Sequence, residues 1–387
     1  MGAENDHEVI YGTLTPADGG EINELFARAY GRSRTMEQWR WEFTGLPGNG
    51  PVLWGARAGR RLVGHYALIP VPMSFFGQAL RSAKAESAMV DPDYRGRGIC
   101  SRLVELTLQD ARERSISTIW GFPNERSFRI MERSGRIHIG GLYGYIKILR
   151  RIRVFQAYLR RRWGRPGLSS APAGVEVGTP EAGRVSSPDQ PGGEKAPPAG
   201  GRIGPLPSVE TPIDERFQRL WEGSRDRLGI TIERSPEYLT WRFRDNPYGR
   251  YLIVAHGSGG GTLSGYMIAT LKREGRLAIG YIVDFLCLEG RAEIFDGLLT
   301  ETLNRLGAAG ADMVVLFLNP AHPLCRPLVP VLERRRFHRR SRPKPFSIKI
   351  FPVEDEARQE TPGDRRQRWH DIENWYLTGA FGEGVEY

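Results

Sequence analysis

Residues 86–115 read ESAMVDPDYRGRGICSRLVELTLQDARERS, and three patterns follow one another along them. Ala85 to Val90 is strand-like and apolar, while Ile99, Leu103, Leu106 and Leu108 recur at near-helical spacing with charges between them. The two are joined by Asp91-Pro92-Asp93-Tyr94-Arg95-Gly96-Arg97-Gly98-Ile99, a basic turn containing two glycines. A strand, a glycine-rich turn and a helix start aim successive backbone N–H groups and the positive end of the helix dipole at one point. Glycine removes the side chain that would keep a ligand from the backbone, and Arg95 and Arg97 add attraction or direct contacts to an anion. Phosphate binding fits this arrangement; a surface turn with solvated arginines has the same composition.

The run V-x-P-x-Y-R-G-R-G-I followed by a helix resembles the signature segment of the GNAT acyltransferases, whose Q/R-x-x-G-x-G/A turn holds the pyrophosphate of acyl-CoA through backbone amides. Arg95 takes the first position and Gly98 the first glycine, with Cys100, also small, where the family has Gly or Ala. The resemblance implies acetyl-CoA or another acyl-CoA as cosubstrate and no metal. It also implies that Gly96, Arg97, Ile99 and Cys100 line the phosphate turn, and that Met89 and Val90 offer backbone contacts to the pantetheine and donor carbonyl. After Asn124, NERSFRIMERSGR matches the family's N-x-x-A-x-x-x-Y-x-k-x-G-F at Asn124, Ser127 and Gly135, with Met131 at the tyrosine position. Without that tyrosine, thiolate departure falls to solvent or to another hydroxyl such as Ser134, Tyr143 or Tyr145. Acyl transfer to an amine also calls for a proton acceptor, and Glu86 has the right type and place; its alternative is a strand charge paired with Lys84. Cys100 has no His and acid partner and reads as a small packing residue.

The flanking sequence repeats itself. MEQWRWEF, with Trp41 and Phe43, corresponds to PEYLTWRF, with Trp241 and Phe243, at an offset of 200 residues, and Gly64 corresponds to Gly265 at 201. Farther on, STIWGFPNERSF corresponds to DMVVLFLNPAHP, so that Asn124 matches Asn319. Where the first copy has its phosphate turn, the second has VDFLCLEGRAEIF, without R-x-x-G-x-G. The predicted fold class is therefore α/β (α+β): two tandem GNAT-like domains, each a mixed, mostly antiparallel sheet flanked by helices. Residues 1–150 form the N-terminal domain with the acyl-CoA site. Residues 151–207 form a basic segment and a Gly/Pro/Ser-rich linker, and 208–387 a degenerate second copy with a C-terminal extension. This architecture is similar to that of mycothiol synthase and of the enhanced-intracellular-survival acetyltransferases.

With 387 residues, 40% hydrophobic and 26% charged, the chain suffices for two medium cores. Cys100, Cys287 and Cys325 lack the spacing of a zinc site or disulfide framework, and His7, His65, His138, His256, His322, His338 and His370 lack that of metal ligands. No run approaches the roughly 20 apolar residues of a membrane span, and no signal-peptide pattern opens the chain, so a cytoplasmic, bacterial-type protein is expected. Much of the net charge of +10 sits in KILRRIRVFQAYLRRRWGR, from Lys147 to Arg165, and in a second cluster from Arg334 to Lys344. That concentration disfavours a diffuse nucleic-acid face. Ile148, Leu149, Ile152, Phe155 and Leu159 make the first segment a candidate basic amphipathic helix, able to dock an acyl carrier protein or anionic lipid, or simply solvated. The leading expectation is an N-acyltransferase acting on an amine of a small metabolite, amino sugar or peptide-like acceptor. The alternatives are a Fem-type aminoacyl or peptidyl transferase using charged tRNA, and a non-catalytic acyl-CoA-binding module.

Overall fold

A computed structural model describes residues 8–46, 50–163, 211–258, 261–288, 291–351 and 362–382. The predicted linker from about Gly164 to Pro207 lies outside them. In the first half, β1 (Val9–Thr13), α1 (Gly19–Tyr30), α2 (Met36–Thr44), β2 (Val52–Ala58), β3 (Arg61–Phe75) and β4 (Gln78–Val90) are followed by α3 (Ile99–Glu113), β5 (Thr118–Gly121), α4 (Glu125–Arg133) and β6 (Ile137–Ile148). After α5 (Arg151–Trp163), the second half has α6 (Glu215–Ser224), β7 (Ile230–Ile232), α7 (Pro236–Leu239), β8 (Tyr251–Ser258), β9 (Thr262–Glu274) and β10 (Leu277–Cys287). It continues with α8 (Ala292–Ala308), β11 (Met313–Leu318), α9 (Val329–Arg334), β12 (His338–Arg339), β13 (Lys344–Ile350) and α10 (Pro362–His370). The order β2-β3-β4-α3-β5-α4-β6 thus recurs as β8-β9-β10-α8-β11-α9 followed by β12 and β13, as the offset repeat implies.

Among the described residues, both halves share one sheet of 13 strands, in the order β1-β2-β3-β4-β5-β13-β6-β11-β10-β9-β8, with β12 on β6 and β7 on β3. The β4–β5 and β10–β11 pairs are parallel and the other pairs of this path antiparallel. The copies trade strands at the seam. β13, from the second half, pairs with β5 on one side and with residues 137–142 of β6 on the other. β6, from the first half, pairs through residues 143–148 with β11. Strands β3 and β10 are buried along nearly their whole length, which explains why LVGHYALIP and LAIGYIVDFLC read as apolar runs rather than alternating ones.

Away from the sheet, the two copies meet at repeat-equivalent residues. The Trp41 and Trp241 rings stack at 5.3 Å, the Trp41 Nε1–H donates to the Trp241 carbonyl at 2.7 Å, and Trp241 Nε1–H donates back to the Trp41 carbonyl at 2.9 Å. Both indoles are buried with their donors satisfied, the condition under which tryptophan adds stacking energy to area burial.

The basic segment Lys147–Arg165 is not one helix. Lys147 and Ile148 end β6, and the helix starts at Arg151, because the strand is held by β11 up to Ile148. Arg150 and Arg153 reach the buried Asp312 of the second half at 4.0 and 3.4 Å, and Lys147 Nζ donates to the Arg335 carbonyl, so part of this charge is tied into the fold. Ile152, Phe155 and Tyr158 remain exposed, and of Arg160 to Arg162 the side chains lie outside the described set. No described helix is long and apolar enough to cross a membrane.

Truncating Trp241 to Ala removes the stack, both indole–carbonyl bonds and a large buried side chain at once, and is expected to cost about 3–5 kcal/mol. Urea unfolding followed by circular dichroism checks this, and a loss below 1 kcal/mol, taken as the size of one ordinary hydrogen bond, would contradict the central role of the pair.

Candidate acyl-CoA site

The turn that follows β4 is organised by one buried carboxylate. Asp91 is 1% exposed; its Oδ2 accepts from Arg28 Nε and Arg61 Nη2, each at 2.8 Å, and its Oδ1 accepts from the Asp93 N–H at 3.2 Å. Burial pushes the Asp91 carboxyl up, but the bonds from Arg28, Asp93 N–H and Arg61 outweigh it and hold it below the usual range. Asp91 N–H donates to the Val63 carbonyl of β3 at 2.8 Å, anchoring the turn to the sheet.

Beyond it, Gly96 and Gly98 adopt φ of 81° and 76°, the left-handed region that other residues enter only with strain. A Cβ at either glycine would meet nothing within 4 Å, so the space in front of this backbone is open. Gly98 is the N-cap of α3; it offers no side-chain cap, and the first helical turn has no acidic residue. The leading N–H groups of α3, from Ile99 and Cys100 onward, therefore have no side-chain cap at the positive end of the helix dipole, an arrangement suited to an anion. Arg97 lies over the Tyr94 ring at 5.1 Å. Arg95 does not project freely: Nε donates to the Val90 carbonyl at 3.3 Å and Nη2 to the Ala29 carbonyl at 3.2 Å, so it braces the turn against β4 and α1.

The strand leading into the turn opens away from its neighbour. β4 and β5 pair only from Ser82↔Thr118 to Lys84↔Trp120, and beyond that point β4 keeps β3 alone as a partner. Within this stretch the register slips between His65 and Ala67, and Ser87 takes φ 51°, marking a bulge. The backbone at Met89 and Val90 thus lies between the gap and the glycine turn. The Met89 side chain packs into the core shared with α1 and α2, and that of Val90 packs on the α3 side with Ile99. Asn124 stands at the other rim: its Oδ1 accepts from Ser127 N–H at 3.0 Å, capping α4, and its own N–H donates to Ser127 Oγ at 3.1 Å.

Glu86 is buried on the face opposite α3. Lys84 Nζ is 2.6 Å from its Oε2, and the Ser87 N–H donates to its Oε1 at 3.3 Å. Sequence reading missed its neighbour Glu42, which is buried and accepts from Arg34 Nη1 at 2.7 Å. Burial, opposed by Arg34 and reinforced by the charge of Glu86, raises the Glu42 carboxyl. In MEQWRWEF it looks like one more helix charge; the repeat offers a hint, since the equivalent position holds Arg242. Glu42, Lys84, Trp41, Trp120, Trp241 and Arg242 border a cavity of about 30 Å³, room for a water or two. Of the other hydroxyls considered, Tyr143 and Tyr145 lie on the part of β6 held by β11, and Ser134 Oγ donates to the Met131 carbonyl. Burial pushes the Cys100 thiol up, away from the reactive thiolate.

Among the described residues, the second half shows no equivalent opening. β10 and β11 pair from Ile279↔Met313 to Ile282↔Leu316, and the space beyond is filled by residues 375–381. Thr378 bridges Leu318, Asn319 N–H donates to the Leu377 carbonyl, Tyr376 Oη–H donates to the Phe285 carbonyl and Thr378 Oγ1 bonds Asp284 at 2.6 Å. Asn319 Nδ2 fastens the segment further by donating to the Ile372 and Trp375 carbonyls, and the fully buried Arg234–Asp284 pair lies beneath it.

Residues 11–135 match the family model described as an acetyltransferase (GNAT) domain. No curated protein sequence matches the chain. Similar solved structures include a GCN5-related N-acetyltransferase from Anabaena variabilis, with TM-score 0.57, 14% identity and coverage of 89% of this chain and 73% of that one. One from Kribbella flavida has TM-score 0.53, 16% identity and coverage of 89% and 71%. Saccharomyces cerevisiae N-myristoyltransferase with bound myristoyl-CoA has TM-score 0.53, 11% identity and coverage of 89% and 83%. At such identities the likeness is one of fold.

Replacing Gly98 by Val or Asp forces a side chain into the left-handed region and into the open space before the amides, and Asp adds repulsion to an anion. Acyl-CoA affinity measured by calorimetry is expected to vanish in both variants; unchanged affinity in a folded variant would remove the turn from the site.

Proposed function

Since this chain is a GNAT-superfamily acyltransferase whose family domain spans residues 11–135, we propose that it moves an acetyl or longer acyl group from acyl-CoA to an amine of a small metabolite, amino sugar or peptide-like acceptor, by direct attack on the thioester. The observation that carries this reading is the pairing of the open, left-handed Gly96 and Gly98 turn with the edge of β4 that β5 leaves free. Anionic pyrophosphate on the α3 amides sets the donor's direction, and the pantetheine follows β4 past Val90 and Met89, where main-chain groups can hold its amides and the thioester oxygen. The main work of such an enzyme is placement of two reactants.

Glu86 is our candidate base on the acceptor side, reached directly or through a water in the small cavity beside Lys84. Glu42 is the alternative, made attractive by its raised pKa but bound to Arg34. The tRNA-dependent alternative draws only on the basic stretch after Lys147, part of which is engaged by Asp312 and the Arg335 carbonyl. The exposed Ile152 and Phe155 of α5 leave a role for that helix in docking an acyl carrier protein.

Because residues 375–381 fill the second opening, one acyl-CoA is expected per chain; a calorimetric stoichiometry of two would contradict the assignment. Glu86→Gln is expected to keep acyl-CoA affinity and lower turnover by about 10²–10⁴-fold, with recovery as pH rises and more of the acceptor amine is neutral. Wild-type turnover of that variant across the pH range would place the base elsewhere, and the same assay on Glu42→Gln would then identify it.

A further inference from the structure

Several arginines of this protein are buried, and most are paired. Arg34 has Glu42, Arg234 has Asp284, and Arg242 donates to the carbonyls of Ala380 and Gly382. Arg136 differs: it is 6% exposed, its Nη2 is buried without a hydrogen-bond partner, and no described carboxylate pairs with it. Leaving a guanidinium in that condition is costly, and a cost of this kind is tolerated where the group has a task.

Its place is specific. A Cβ on Gly121 would lie 3.5 Å from Arg136 Nη1 and 3.6 Å from both Ala85 Cβ and the Ala85 carbonyl oxygen. These are ordinary contact distances, and they place the guanidinium beside Gly121 and Ala85, just past Lys84↔Trp120, where β4 and β5 part, on the face that carries α3. Tyr66 reaches the same face from β3. It is 1% exposed, and its hydroxyl has only the Met131 thioether, at 3.8 Å, as a weak acceptor. Burial raises the Tyr66 hydroxyl above its ordinary range against the pull of Arg136, so it holds its proton at neutral pH.

We propose that Tyr66 and Arg136 are the acid side of the transfer. This rests on the acyl-CoA reading above. The acceptor nitrogen bonds to the carbonyl carbon; on collapse of the tetrahedral intermediate the C–S bond breaks and its electron pair goes to sulfur. The Tyr66 hydroxyl proton passes to that sulfur, so CoA departs as the thiol, and the Arg136 guanidinium holds the phenolate left behind. The proton shed by the acceptor amine returns through water to Tyr66, restoring the starting state.

The test uses the full chain with two donors: acetyl-CoA, and the acetyl thioester of 4-nitrothiophenol, whose weakly basic thiolate leaves without an acid. With acetyl-CoA, Tyr66→Phe and Arg136→Gln are each expected to lower kcat about 10²-fold while acyl-CoA affinity by calorimetry is kept. With the activated thioester the same variants are expected to approach wild-type rates, and Arg136→Lys, which keeps the charge, to fall between Gln and wild type on acetyl-CoA. A merely structural role would depress both donors alike, so equal losses on both, or no loss on either, overturn the proposal. If Tyr66→Phe fails to fold, the Arg136 variants decide by the same donor comparison. Failure of the wild type to release thiol from any acyl-CoA with any amine would instead overturn the acyl-transfer reading itself, and this proposal with it.

Discussion

The arrangement on which the rest depends is the exchange at the centre of the sheet, where β13 lies between β5 and β6 while β6 lies between β13 and β11. Each half completes the other's backbone hydrogen bonding. An unpaired strand edge is a liability that proteins must cover, and here the two inner edges cover one another. The reciprocal Trp41–Trp241 contact repeats the exchange in side chains, with each indole donating to the other's main chain. β7, a second-half strand paired with β3, adds another crossing.

Much of this was legible in the sequence, and the limits are instructive. The glycine turn could be read because its requirements are local: glycines at left-handed positions, a helix start without an acidic residue, a strand before it. The duplication could be read because Trp41 and Trp241, or Asn124 and Asn319, retain their spacing. The trade of strands could not, because which edge a strand joins depends on long-range pairing, and β13 is more than 200 residues from β5. Glu86 was visible as a carboxylate on β4, and Lys84, two residues earlier, was its foreseen ion-pair partner; the face it takes was set by the strand's pairing. Tyr66 and Arg136 gave no local signal at all. Arg136 stands out only in the fold, where it is buried with one guanidinium nitrogen unpaired beside the point at which β4 and β5 part.

The charge tells a similar story. Read along the chain, Lys147–Arg165 and Arg334–Lys344 look like free basic surfaces. In the fold, Asp312 meets Arg153, and Asp296 takes bidentate bonds from Arg335 at 2.7 and 2.9 Å with Arg334 nearby. These acids are far from the arginines in sequence, so a local count overstates the free charge. What remains exposed beside α5 is apolar as well as basic.

The segment that seals the second opening also reaches the first half: Phe381 packs edge-on against Trp120 of β5 at 5.0 Å, next to the cavity that borders Lys84 and Glu42. During synthesis β1 to β5 emerge early, yet β5, paired on one side with β4, gains its second neighbour only when β13 appears, and Trp120 gains its contact with Phe381 later still. A nascent chain therefore carries a first half with an unpaired inner strand edge for most of its translation, with high-contact-order pairing as the last event. The second half is in this sense an intramolecular completion of the first, supplying β13 to β5 and Phe381 to Trp120.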